Sequence, residues 1–270
     1  MELKSSAKLN IGLHVHSIRS DGFHNISTLF QEISLYDSIR IDEAENFSCK
    51  TDCGNIPESD NFGTKAFRIV KKLKPELPNV SISIRKAIPM NAGLGGGSSN
   101  GTAVLKGLNH LFSLSLDKNK LSLIAKEISS DSTFFIDGGS QFGTQRGEKL
   151  QPVKNMELPK HILLVHPNIK VSTKTAFEQL KNHLLNENMD INLSKLLREL
   201  KNNNFNSKLF KNDFEMYVFE THPEIGAIKL KLKDFGAEYA SLSGTGSTVF
   251  GIFFSKKDLL KAQSFFSPQY

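Results

Sequence analysis

Cysteine is scarce: Cys49 and Cys53 are the two in 270 residues. Two thiols cannot complete a four-ligand zinc site, and nothing near them suggests an oxidising compartment, so they read as reduced and incidental. No apolar run approaches the roughly 18 residues that would mark a spanning helix. In Met1–Val15, Lys4, Lys8, Asn10 and His14 interrupt any apolar stretch. No secretory leader is therefore expected, and the cytoplasm is the expected location. There is also no fixed-period repeat, and no Pro- or Gly-rich linker divides the chain.

What is present is ordinary in amount. The chain is 39% hydrophobic and 23% charged, as in soluble globular proteins. Its length allows one large domain or two closely joined ones. The net charge of +6 suits an anionic ligand, whether nucleotide or nucleic acid, without choosing between them.

Periodicity places the elements. Leu9–His16 alternates apolar and polar residues, the pattern of a half-buried strand; 38–42 and 80–85 repeat it. Asn61–Leu73 puts Phe62, Ala66, Ile69, Val70 and Leu73 at helical spacing, and Ser98–Phe112 does the same with Val104, Leu105 and Leu108. His161–Val165 reads as a buried strand. Helical, Lys- and Asn-rich sequence follows from about Thr173 to Lys233, with an exposed turn at 201–204. Tyr239–Leu242 and Thr248–Ile252 flank a second glycine turn, and a helix closes the chain. Strands and helices in both halves predict an α/β or α+β protein, with a boundary near residue 155 separating domains 1–155 and 156–270.

The strongest local signal is Pro89-Met90-Asn91-Ala92-Gly93-Leu94-Gly95-Gly96-Gly97-Ser98-Ser99, following a strand and opening a helix. Glycines let backbone amides converge on an oxyanion, and the new helix adds unpaired first-turn donors and its positive dipole end. Ser98 and Ser99 can supply hydroxyls, one as helix cap and one toward phosphate or magnesium. A polyphosphate cradle is the expectation. A Walker A loop would need Lys after Gly97, where Ser98 stands. A dinucleotide fingerprint would need an acid closing a second strand, whereas Asp117 precedes a helix. A flexible turn without ligand would waste backbone entropy on four glycines in five residues. Asp234-Phe235-Gly236 imitates a protein-kinase tripeptide, but its partner motifs are missing; Gly236 reads instead as the end of a helix.

Three segments in order resemble the GHMP small-molecule kinases: Ala7–Asn10, Pro89–Ser99 and Ser241–Ser247. They span nearly the whole chain. Finer features, including 19–24, 28–31, 35–37 and 108–111, resemble one branch whose alcohol substrate carries a cytidine diphosphate group. The resemblance implies an α+β, two-lobed fold, α/β in the N-terminal half and ferredoxin-like in the C-terminal half, with ATP and substrate meeting in the cleft. It also implies an ATP- and Mg2+-dependent enzyme that phosphorylates a small molecule and uses neither nucleic acid nor membrane.

The family's catalytic pair falls on Lys8 and Asp131. A carboxylate that accepts the hydroxyl proton activates a poor nucleophile, and an ammonium offsets charge during transfer. From residues alone, Lys8 is equally readable as a solvated strand lysine, and Asp131 as the end of the preceding helix. The resemblance puts cytosine between Phe23 and Phe177 with His24 on its edge, and makes Asn10, Phe30 and Thr173 further substrate contacts. The residues of the loop 89–99, with Asn61 and Asn109, would hold the nucleotide. No acidic metal ligand is assigned. The chain departs from the family's usual pattern in four places: Asn91 for Gly, Gly101-Thr102 for Ala-Ala, Phe23 for Tyr, and Ser129-Ser130-Asp131-Ser132-Thr133 for Gly-Ala-Asp-Val-Pro. Two other readings stay open, another small-molecule kinase of the same family and a silent nucleotide- or RNA-binding module.

Overall fold

The computed structural model describes residues 1–53, 56–153, 161–184 and 210–267. In chain order the principal elements are β1 (Glu2–Ile18), β2 (His24–Glu43), β3 (Ser48–Thr51), α1 (Phe62–Leu73), β4 (Val80–Arg85), α2 (Gly96–Leu111), α3 (Lys118–Ile128), α4 (Phe134–Asp137), β5 (Ser140–Thr144), β6 (Lys149–Pro152), β7 (His161–Val165), α5 (Thr173–Leu184), α6 (Phe214–Thr221), α7 (Pro223–Asp234), β8 (Tyr239–Leu242), β9 (Val249–Phe253) and α8 (Lys256–Phe266). The mixture of sheets and helices is the α+β class expected. The boundary near 155 and the turn at 201–204 lie outside the described residues.

Two compact units interleave along the chain. The first comprises Met1–Lys8, Glu32–Met90 and Gly95–Gly139; the second comprises Leu9–Gln31, Asn91–Leu94 and Ser140–Tyr270. β1 and β2 are long enough to contribute residues to both.

In the first unit, β4 pairs antiparallel with β2 (Ile39 opposite Ile84, Ile41 opposite Ile82) and parallel with β3. The alternation in β4 buries Val80, Ile82 and Ile84 on one face, as a half-covered strand should. Helices cover that face with Ala66, Phe67 and Val70 of α1, Val104, Leu105 and Leu108 of α2, and Ile124, Ala125 and Ile128 of α3. The helical spacing read from the sequence is the origin of these stripes. Asn61 caps α1 by accepting from the Gly63 amide at 2.8 Å, and Asp117 caps α3.

In the second unit, β9 lies between β7 and β8, antiparallel to both. Val165, Leu242, Val249 and Phe253 pack with Phe214, Val218, Ile225, Ile228 and Leu232 of α6 and α7. Gly236, at φ +89°, ends α7 as expected, its amide bonded to the Lys233 carbonyl at 2.9 Å.

Two strand expectations change. Within β1, Ala7–Val15 is buried on both faces, not half-buried. Its polar positions are satisfied internally: Asn10 Nδ2 donates to Thr28 Oγ1 at 3.0 Å, and His14 Nδ1 meets Asp213 at 3.4 Å. Conversely, β7 is an edge of its sheet, and only Val165 in it is fully buried.

Candidate active site

The glycine loop runs from the end of β4 into α2. Asn91, Gly93 and Gly95 have φ of +54°, +76° and +70°. Asn91 thus holds the left-handed conformation that this residue tolerates better than most. Gly95 is the N-cap of α2 and supplies no side chain, which corrects the expectation of a serine cap. The first-turn amides of α2 are consequently uncapped by any side chain, as an anion cradle requires. A Cβ on Gly95 would sit 3.0 Å from Lys8 Cγ and 3.1 Å from Phe135. A bare Cα at 95 therefore lets the Lys8 stem lie against the loop.

Beneath the loop lies a buried polar network that sequence reasoning did not identify. The side chain of Asp37 is 0% exposed. Its Oδ1 accepts the Ala87 and Ile88 amides, both at 2.8 Å; its Oδ2 accepts Asn100 Nδ2 at 2.8 Å and the Lys86 ammonium. Asn100 Nδ2 also reaches Ser5 Oγ at 3.0 Å, which donates to Ser99 Oγ at 2.7 Å. A buried carboxylate is tolerable only with this full complement of donors. The network fixes both ends of the loop, at 87–88 and at the first turn of α2. Its sequence signal was faint: an acid within a strand, and a lysine one residue past another.

Lys8 and Asp131 lie together in the first unit. Lys8 Nζ lies 3.4 Å from Asp131 Oδ2, with side chains 4% and 32% exposed. The lysine is sequestered and the carboxylate remains accessible, so the solvated-lysine alternative fails. Asp131 does not cap α3 either, whose C-cap is Ser129. Ser98 and Ser99 diverge. Ser99 is buried toward Ser5, while Ser98 is half-buried and accepts from Ser129 Oγ at 2.8 Å. Among the described residues no cluster of three or more His, Cys, Asp or Glu could hold a metal ion.

The other candidates separate by environment. In the first unit, Asn61 is engaged as the α1 cap, and Gly97 packs against the neighbouring Phe62. Asn109 spends its amide on Leu116, accepting its N–H at 2.9 Å and donating to its carbonyl at 3.1 Å. It stands about 20 Å along α2 from the loop at the usual helical rise. In the second unit, the loop residues Asn91–Leu94 meet the third motif. Ser243 Oγ donates to the Gly93 carbonyl at 2.9 Å, and a Cβ on Gly93 would collide with the Ser243 carbonyl oxygen. Only glycine fits there. Asn10 belongs to the same cluster through its amide, 3.4 Å from Ser243 Oγ.

Of the rings, His24 and Phe177 stack at 5.3 Å, and Phe177 also meets Phe214 edge-on at 4.8 Å. Phe23 is 49% exposed, with the Arg146 guanidinium 3.6 Å above its ring. Phe30 is 1% exposed and sits against Gly143 and Gly147, a core position. Thr173 Oγ1 is 3.0 Å from Thr245 Oγ1 at the mouth of the third motif.

A glycine loop that opens a helix without a side-chain cap, and a lysine–carboxylate pair beside it, suit phosphoryl transfer. Residues 61–139 match the GHMP kinases N terminal domain, and residues 178–270 match the GHMP kinases C terminal domain. The chain belongs to the GHMP kinases, ATP-dependent enzymes that phosphorylate small molecules. It is 37% identical to the 4-diphosphocytidyl-2-C-methyl-D-erythritol kinase of Parabacteroides distasonis, covering 97% of this chain and 94% of that protein. It is 34% identical to the kinase of the same name from Chlorobium chlorochromatii, over 97% and 91% of the two chains. A crystal structure of 4-(cytidine 5'-diphospho)-2C-methyl-D-erythritol kinase superposes with a TM-score of 0.82 at 25% identity, covering 100% of this chain and 96% of that one. A mevalonate kinase from L. major shares the fold at 16% identity and a TM-score of 0.74, covering 100% and 93% of the two chains.

Proposed function

We propose that this kinase transfers the γ-phosphoryl group of ATP to the 2-hydroxyl of 4-diphosphocytidyl-2-C-methyl-D-erythritol, in the non-mevalonate route to isoprenoid precursors. The reaction is read as cytoplasmic, with no nucleic acid or membrane partner. The observation that carries it is the Lys8–Asp131 pair, 3.4 Å apart, with the Lys8 stem against Gly95 of the loop. ATP supplies the phosphoryl group when bound, and Mg2+ offsets its charge. The amides at the start of α2 hold the phosphates, and Ser98 offers an oxygen to the metal. Asp131 accepts the proton of the substrate hydroxyl, and Lys8 orients that carboxylate and offsets charge developing in transfer. Asn91–Leu94 of the loop, Asn61 and Asn109 are further nucleotide candidates in this reading.

In the same reading, Phe23 and Phe177 present ring faces to the cytosine and His24 its edge, with Asn10 and Thr173 as further polar contacts. Phe30 supports this surface from the core. Division of the sequence near residue 155 belongs to the proposal as well, supported by the two family matches falling on either side of it. The test is a coupled ADP-release assay with Mg-ATP against the cytidyl alcohol, mevalonate and homoserine. Turnover of about 1–100 per second on the first alone is expected. Turnover of mevalonate or homoserine instead would reassign the substrate, and ADP release without acceptor phosphorylation would reject the reading.

A further inference from the structure

We propose that Ser129, Ser132 and Thr102 form a hydroxyl clip that positions Asp131 and aims the Ser98 hydroxyl into the glycine loop. The inference rests on the assignment of Asp131 and the loop to phosphoryl transfer. Ser129 and Ser132 belong to the segment in which this chain departs from the family's usual Gly-Ala-Asp-Val-Pro. They bring hydroxyls where that pattern has none.

The bonds converge on one residue. Ser129 Oγ donates to Ser98 Oγ at 2.8 Å and lies 2.7 Å from Ser132 Oγ. The Ser98 carbonyl is reached by Ser132 Oγ at 3.2 Å and by Thr102 Oγ1 at 3.0 Å, and Thr102 Oγ1 also lies 2.9 Å from the Ser132 carbonyl. Both sides of Asp131 are thereby tied to the first turn of α2. Ser132 and Thr102 are 0% exposed, so water does not compete for these bonds.

Proton counting gives the clip a direction. A hydroxyl has one proton to donate. Ser129 spends its proton on Ser98, so the 2.7 Å contact between Ser129 and Ser132 uses the single proton of Ser132, which reaches the Ser98 carbonyl at 3.2 Å only as the weaker arm of a bifurcated bond. The relay runs from Ser132 through Ser129 to Ser98, which enters it as an acceptor. The Ser98 proton is then left for an oxyanion in the loop. Loss of Ser129 both frees one flank of Asp131 and lets the Ser98 hydroxyl turn inward. A merely structural hydrogen bond at the end of α3 would do neither.

The test uses the full chain with Ser129→Ala, Ser129→Thr, Ser98→Ala and the Ser98→Ala/Ser129→Ala double variant. Three quantities are read for each: kcat and KM, the calorimetric Kd for a non-hydrolysable ATP analogue, and the melting temperature without ligand. Ser129→Ala should lower kcat about 10-fold and weaken analogue binding about 3-fold, the scale of one lost hydrogen bond in each. Its melting temperature should stay close to that of the unaltered protein, and Ser129→Thr should restore most of the loss. The double variant should bind the analogue no more weakly than Ser98→Ala. If Ser129→Ala does not fold, Thr102→Val is read in its place, with the same split between kcat and melting temperature expected. Full activity and unchanged analogue binding in Ser129→Ala would overturn the clip while leaving the catalytic assignment standing. A fall in melting temperature alone would do the same. An unaltered protein that fails to turn over the cytidyl alcohol would instead remove the assignment on which the clip rests.

Discussion

Asp37 in the first unit and Asp213 in the second are both buried carboxylates that accept backbone amides, yet they organise different things. Asp37 takes the Ala87 and Ile88 amides, Asn100 and the Lys86 ammonium, and so braces the glycine loop at both ends. Asp213 takes the Val15 amide at 2.8 Å and faces the His14 ring, while the adjacent Asn212 donates to the Leu242 and Gly244 carbonyls, each at 2.8 Å. One carboxylate is offset by a lysine and sits under a site that must handle phosphate charge. The other, with Asn212, holds together β1 and the turn of the third motif. The first unit concentrates charged machinery, and the second offers aromatic and backbone surfaces.

The sharpest break in this contrast is at Asp131. Asp131→Asn should lower kcat by roughly 10²–10⁴ with little change in ATP binding or melting temperature. Lys8→Ala should cost a comparable amount, and steady-state kinetics of the double variant should show less than the product of the two losses. Losses that multiply would mean independent roles.

Next comes the comparison of the two aspartates by urea unfolding. Asp37→Ala strands the Lys86 ammonium in the interior and should destabilise by about 3–5 kcal/mol. Asp213→Ala strands chiefly a backbone amide and should cost less, about 1–3 kcal/mol. Equal costs would erase the distinction between the units.

A smaller effect is expected at the rings of the second unit. Phe23 is about half exposed, so Phe23→Ala should raise KM for the cytidyl substrate by roughly 5- to 150-fold, as loss of one base-stacking face does, while leaving melting nearly unchanged. Phe177→Ala should raise KM similarly but also lower the melting temperature, because the ring packs against Phe214. Phe23→Tyr keeps the ring and should be nearly neutral. An unchanged KM in both alanine variants would show the rings to be packing groups alone.

The smallest effect concerns the thiols of the first unit. Burial pushes the Cys49 thiol up to about 11. A neutral-pH thiol reagent should therefore label Cys53 well before Cys49. The raised value makes the folded state hold its proton longer than the unfolded chain. This contribution is intact below about pH 9 and is lost as pH rises toward 11. Cys49→Ser should flatten the alkaline limb of a stability profile; an unchanged limb would assign that loss to other groups.

Local chemistry was readable where it repeated with a period or demanded a particular residue. The α1 and α2 stripes, the alternation of β4, the end of α7 at Gly236 and the left-handed Asn91 all follow from short-range rules. Lys8 and Asp131 were legible through the family motifs, and their proximity follows from the fold. The half-buried reading of β1 failed because its polar residues look solvent-facing until their partners, 18 positions away for Asn10 and 199 for His14, are folded onto them. Asp37 stood among the family features at 35–37, but its buried network was missed for the same reason: a strand acid looks like a surface charge until Ala87, Ile88 and Asn100 are folded onto it. The pairing of the Asn109 amide with Leu116 was likewise not legible in the sequence.

The amino-acid order alone was enough to set the main helices, because these depend on neighbours within a few residues, and to indicate the chemical class through three ordered motifs. Tertiary structure decided which polar groups are buried and satisfied. It brought Lys8 to Asp131 across 123 positions of sequence, and it divided the loop between two units, with Asn91–Leu94 in the second and the residues on either side in the first. Burial and long-range pairing are properties of the packed chain: the cost of an unsatisfied polar group arises only once water has been removed from around it.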